Sequence, residues 1–64
     1  MDQRLLTTQE VSARYGVPRR TLYYWRSIGQ GPHAIKVGRH LRWPQDGLRD
    51  WESRLALEQI EGAK

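Results

Sequence analysis

Seven cationic side chains, Arg14, Arg19, Arg20, Arg26, Lys36, Arg39 and Arg42, stand between Val11 and Gln45 with no Asp or Glu among them. The seven acids all fall outside that span, so a centre of +7 joins flanks of net −3, and the whole chain carries +4. A surface that is merely solvated usually intersperses both signs. A one-sign block is the footprint of a polyanion-binding face, and the polyanion expected is nucleic acid. Bond-making chemistry has no comparable support. His33 and His40 are the only histidines, and no carboxylate lies between residues 11 and 45 to orient either one as a general base or a metal ligand. Without cysteine there is no disulfide and no thiolate zinc site. The chain is therefore expected to be no enzyme and to use no metal or cofactor.

The densest chemistry lies in "RRTLYYWRS", Arg19 to Ser27, where three aromatics sit between arginines. At about 100° per residue on a helix, Thr21, Leu22, Trp25 and Ile28 fall on one side. Arg19, Arg20, Tyr23, Arg26 and Ser27 fall on the other. Trp25 is thus expected in the core and Tyr23 among the arginines. Tyr24 is expected at the boundary, where a ring packs and its hydroxyl reaches a phosphate. The alternative is that both tyrosines simply pack.

The elements that must position this helix can be read on either side of it. With 64 residues the chain makes one domain, its core at about 5–55 and a C-terminal tail at 56–64. At that size folding buries only about 60% of the unfolded surface, so the core is small. The start "MDQRLL" has neither a signal-peptide core nor a spanning segment, which predicts a soluble cytoplasmic protein with no membrane role. In "LLTTQEVSARYG", Thr7 and Glu10 form a capping box and Leu6 with Val11 a hydrophobic staple, predicting a helix from Thr8 to about Tyr15. Gly16 ends it, and Pro18 suits the first position of the second helix. Two helices joined by three residues make a helix-turn-helix.

After the "GQGP" loop comes "HAIKVGRHLRW", which reads as strand, tight turn and strand. A two-residue turn at Gly38 and Arg39 would set Val37 opposite His40 and Ile35 opposite Arg42, mixing apolar and polar faces. A three-residue loop, Gly38 to His40, pairs Val37 with Leu41 and Ile35 with Trp43 and is the register expected. It leaves Lys36 and Arg42 outside and Arg39 at the tip, where a minor groove could take it; a flexible, solvated tip is the alternative. Pro44 is expected to open a third helix with Leu48, Trp51 and Leu55 in the core. Leu57 and Ile60 lie off that stripe, as part of a frayed tail or of a small contact surface.

The fold class is thus α+β, mostly α. "LLTTQEVSARYGVPRRTLYYWRSIGQGP" followed by "IKVGRHLRWPQDGLRDW" resembles the small winged helix-turn-helix domains of the excisionase and MerR-like DNA-binding group, from about Leu5 to Leu55. The resemblance implies double-stranded DNA as partner, with the second helix in the major groove and the hairpin, or wing, on the adjacent backbone or minor groove. By position it carries the helix role to Arg19, Arg20, Tyr23, Tyr24, Arg26 and Ser27 and the wing role to Lys36, Arg39, His40 and Arg42. Pro18 departs from the Ser or Thr cap of many relatives. The chain ends about nine residues after Leu55 and is expected to lack the dimerising helix and effector domain of MerR-type regulators. The resemblance then implies an excisionase that binds adjacent sites head-to-tail with copies of itself, bends DNA and directs a tyrosine integrase towards excision. A small transcription regulator of the same fold is the second reading.

Overall fold

Thr7 ends a strand and caps a helix. In the computed structural model, which describes residues 4–62 and side chains through residue 59, strand β1 (Leu5–Thr7) runs directly into helix α1 (Thr8–Tyr15). The capping box is reciprocal: Glu10 N–H donates to Thr7 Oγ1 at 3.1 Å, and Thr7 N–H donates to Glu10 Oε1 at 2.8 Å. Two of the orphan donors of the helix start are satisfied in this way. At the other end Gly16 is left-handed at φ 67°. The Gly16 and Val17 N–H groups both donate to the Ser12 carbonyl, and Ser12 Oγ donates back to the Val17 carbonyl. Helix α2 (Arg19–Ser27) follows. Pro18 is its N-cap and not its first helical residue: its backbone is extended, and its carbonyl accepts the first helical bond from Thr21 N–H at 3.0 Å.

Strand β2 (Ile35–Val37) and strand β3 (His40–Pro44) form the hairpin, and β1 joins them in an antiparallel sheet of order β1-β3-β2. The sheet thus has a third strand that the sequence reading lacked. The expected register is also overturned. Val37 lies opposite His40, Lys36 opposite Leu41 and Ile35 opposite Arg42, so the turn has two residues, Gly38 and Arg39. Gly38 has φ 63° and Arg39 has no positive φ, the pattern of a type II′ turn, whose twist matches that of the flanking strands. Turn geometry prevails over the separation of faces. Opposed residues share a face, so Lys36 lies on the side of Leu41 and Trp43, whereas Ile35, Val37, His40 and Arg42 share the outer side. Lys36 and Arg42 are consequently on opposite faces, and Ile35 and Val37 are exposed instead of buried.

Helix α3 (Gln45–Gly62) starts one residue later than expected. Gln45 N–H donates to the Arg4 carbonyl at 2.9 Å, extending the sheet ladder past Pro44, which is the last residue of β3. The core is Leu6, Val11, Leu22, Trp43 and Leu48, drawn from all three helices, β1 and β3, with Trp25 and Leu41 packed around it. Trp43 is wholly buried, and its indole N–H donates to Thr8 Oγ1 at 3.0 Å, so its polar atom costs nothing in the interior. Ile28, expected in the core, is exposed because α2 has ended: as the C-cap residue, with ψ 9°, it has left the helical path that the spacing assumed. α3 continues as helix through Gly62, so the expected tail is helical that far; Leu57 is exposed, and the side chain of Ile60 lies outside the described residues.

Candidate nucleic-acid interface

One side of α2 is fixed and the other is free. Leu22 is fully buried, and Trp25 lies 5.5 Å, centroid to centroid, from Trp51 of α3. Gly31 lets the following loop close over this contact, because at φ 80° a Cβ there would stand 3.1 Å from the Trp25 ring. The opposite side presents Arg19, Arg20, Tyr23, Tyr24, Arg26 and Ser27, all exposed. Tyr24, at 61%, projects further than the boundary position expected of it, and Tyr23 is 50% exposed. Neither tyrosine is a packing residue. Arg19, Arg20 and Arg26 have no ion-pair partner among the described residues. Ser27 Oγ donates to the Tyr24 carbonyl at 2.7 Å, so its proton is already used, and only its lone pairs remain for another partner.

The start of α2 is electrostatically unsatisfied in itself. Pro18 provides no side-chain cap, and the first turn holds Arg19 and Arg20 with no acid. Cations at the positive end of a helix are unfavourable, whereas an anion there is favourable and meets free N–H donors.

On the hairpin, Arg39 is at the turn, Lys36 and His40 are exposed, and neither Arg39 nor Lys36 has an ion partner among the described residues. Arg42 differs. It is half-buried between Thr7 and Ile35 in the register, and its Nη1 donates to the Leu41 carbonyl at 2.9 Å. It also lies close enough to Glu10 to help lower that carboxyl below its ordinary value, though the bond from Thr7 N–H is the larger cause.

Arg14 leaves the basic block altogether. Its Nε donates to Glu52 Oε2 at 2.9 Å and its Nη2 to Oε1 at 3.2 Å, and Tyr15 Oη donates to Oε2 at 2.6 Å. These bonds hold the Glu52 carboxyl below the usual range, Arg14 contributing most. Burial, together with the bond to Glu52, pushes the Tyr15 hydroxyl well above its ordinary value. Beside them Tyr15 meets Trp51 edge-on at 5.4 Å. Trp51 and Glu52 therefore tie α3 to both helices of the helix-turn-helix. This seam was not legible in the sequence, since its polar partners lie 37 and 38 residues apart. The one available signal was that Glu52 directly follows the Leu48, Trp51 stripe.

His33 and His40 are both exposed. A shallow cleft between residues 29–31 and α3 is floored by Trp51 and Leu55 with Arg54 and Glu58 at its side, and neither histidine lines it. Among the described residues no three His, Asp or Glu side chains cluster as metal ligands would, and no helix is long and apolar enough to cross a membrane.

Residues 5–55 match the helix-turn-helix domain family. Among curated proteins the chain is similar to the excisionase of Enterobacteria phage phi80, at 26% identity in an alignment 58 positions long, with 78% of this chain and 89% of the phage protein covered. No solved structure matches significantly.

Proposed function

The chain belongs to the helix-turn-helix domain family, and from that premise we propose that it is a sequence-specific DNA-binding protein of the excisionase kind, without catalytic activity. In this reading α2 enters the major groove of double-stranded DNA. Arg19 and Arg20 present their guanidinium forks to guanine edges or phosphates, Tyr23, Tyr24 and Arg26 lie along the groove wall, and Ser27 accepts at its margin. The wing lies on the adjacent backbone, with Arg39 in the minor groove and Lys36, His40 and Arg42 behind it. Adjacent copies bind head-to-tail, bend the DNA and help a tyrosine integrase assemble for excision. This places the protein with the DNA, in the cytoplasm of a bacterial host.

The observation that carries the reading is the face of α2: three arginines without acidic partners beside two exposed tyrosines, on a helix anchored from behind by Leu22 and Trp25. The similarity to the phi80 excisionase supports the recombination role. The test is an excision assay with a tyrosine integrase encoded beside this chain's gene and its attachment DNA, run with and without the purified protein. Excision that requires the protein supports the proposal. Tight, sequence-selective binding with no effect on excision would leave a promoter-binding regulator in its place.

A further inference from the structure

Two aromatic rings on the water-facing side of a helix need a reason to be there. Arg20 and Ser27 stand opposite the midpoint of Leu22 and Trp25, the residues that anchor α2, and Tyr23 and Tyr24 stand roughly 50° to either side of that line. The tyrosines are 50% and 61% exposed. Among the described residues neither tyrosine hydroxyl has a hydrogen-bond partner, no cation lies over either ring, and Arg20 has no ion partner. Side chains on a helix lean towards its N-terminus, and residues three and four apart are neighbours, so both rings lean over the turn that carries Arg20. The outward centre of α2 is therefore a guanidinium fork with an open aromatic ring on each side.

In a major groove these groups have different complements. A guanidinium fork pairs with O6 and N7 of guanine. A phenol ring cannot pair with the donors and acceptors of base edges, and covering them without a hydrogen bond is costly. The apolar group displayed in that groove is the C5-methyl of thymine. One helical turn rises about 5.4 Å and one base step about 3.4 Å, so a ring one turn from Arg20 that leans back towards it stands beside the base step next to the guanine.

We propose that Tyr23 and Tyr24 are specificity residues that recognise a pyrimidine C5-methyl: Arg20 holds a guanine, and the rings pack on the methyl of a thymine in an adjacent base step. 5-Methylcytosine presents the same methyl and is a ligand of the same class. The inference rests on the reading of α2 as a major-groove helix and names what its aromatic residues distinguish there. Both rings lie outside the core, so replacing them with alanine, a strong helix former, leaves the packing of α2 in place.

The experiment selects sites from random duplex DNA with the full-length protein and then measures binding to the selected duplex with deoxyuridine in place of each thymine in turn. Deoxyuridine lacks only the methyl. The selected site is expected to hold a thymine beside a guanine, and deoxyuridine there lowers affinity about fourfold, the worth of one buried methyl group. With cytosine at that position, 5-methylation raises affinity by a similar factor. Tyr23→Ala/Tyr24→Ala binds the thymine and deoxyuridine sites alike, whereas Tyr23→Phe/Tyr24→Phe keeps the ratio because it keeps the rings. The readout is a ratio within each protein, so any loss of folded fraction cancels from it. The proposal is overturned by a ratio near one in wild type at every thymine, by a ratio that survives in the alanine pair, or by one lost in the phenylalanine pair, which would give the contact to the hydroxyls. In each of these cases selective DNA binding itself stands. If no sequence is enriched from the random pool, α2 reads nothing, and the reading on which the proposal rests falls with it.

Discussion

At the scale of single residues, charge that is close in sequence is divided in space. Arg14 and Arg19 are five positions apart, yet Arg14 is held by Glu52, and Arg19 has no ion partner among the described residues. Truncation should therefore give different signatures. Arg19→Ala or Arg20→Ala is expected to weaken the preferred site by about 1–3 kcal/mol and to relax sequence preference at one position. Arg39→Ala is expected to weaken many sequences together, most where the minor groove is narrow. Binding measured over a panel of single-base variants separates the two, and equal, sequence-independent losses at all three positions would mean that α2 reads nothing. Glu52 gives a different kind of test. Its folded pKa lies below the unfolded one, near 4.5, because Arg14 and Tyr15 bond the carboxylate. Its contribution is therefore complete above that value and is lost as the pH falls through the folded pKa. Glu52→Gln should cost up to roughly 1 kcal/mol at pH 7, since the Arg14 and Glu52 side chains remain about a third exposed and are screened. Urea unfolding should show the gap between wild type and variant closing below pH 4.5; a gap constant from pH 7 to 3 would mean that the carboxylate charge adds nothing.

At the scale of elements, what could be read in the sequence was what is local. The bounds of α1 follow from Thr7, Glu10 and Gly16, which lie within ten residues of one another, and the structure has them. β1 was missed because "LLT" is too short to show alternation and exists as a strand only through pairing with residues 42–44, some 37 positions away. The hairpin was legible, but its register was not. Separating the faces favours three loop residues, whereas a glycine directly after Val37 favours two, and the twist of the strands decides between them. On the candidate interface, the exposed side of α2 was legible from helical spacing, because Leu22 and Trp25 fix which way the helix faces. The changed register moved Lys36 and Arg42 to opposite faces and drew Arg42 towards the backbone of Leu41. Gly38 is thus the residue on which the wing's facing depends. Nothing stands within 4 Å of a Cβ placed there, so substitution is opposed by φ 63° alone. L-alanine at 38 is expected to cost about 1–2 kcal/mol. D-alanine, whose mirror-image preference suits a positive φ, should be tolerated in a synthetic chain. Thermal unfolding of the two would check this, and equal losses would rule out the II′ turn.

At the scale of the whole molecule, the question is how few contacts can hold so small a domain on DNA and still distinguish a site. Of the seven central cations, Arg14 is engaged by Glu52 and Arg42 is half-buried with a bond to the Leu41 carbonyl, while Arg19, Arg20, Arg26, Lys36 and Arg39 are exposed without an ion partner among the described residues. With four to six of the central cations neutralising phosphates, log K should fall with log salt at a slope of roughly −4 to −5. A slope near zero on any duplex would remove the electrostatic basis of binding. One such module buries roughly 600–1,000 Å² on DNA, so a single copy gains little discrimination over the mass of competing sequence. In the proposed array neighbouring copies would multiply it, and copies docked in one orientation would add their small bends when their sites are in helical phase. The proposal therefore ties three observables together: filling of adjacent sites is cooperative, bending grows with the number of copies bound, and both decline when half a helical turn is inserted between sites. Circularly permuted duplexes with one, two and three sites, with natural and half-turn spacing, measure all three at once. Bending that stays at the one-site value while occupancy rises would leave a DNA-binding domain that shapes nothing, and the excision role would then have to come from protein contact alone.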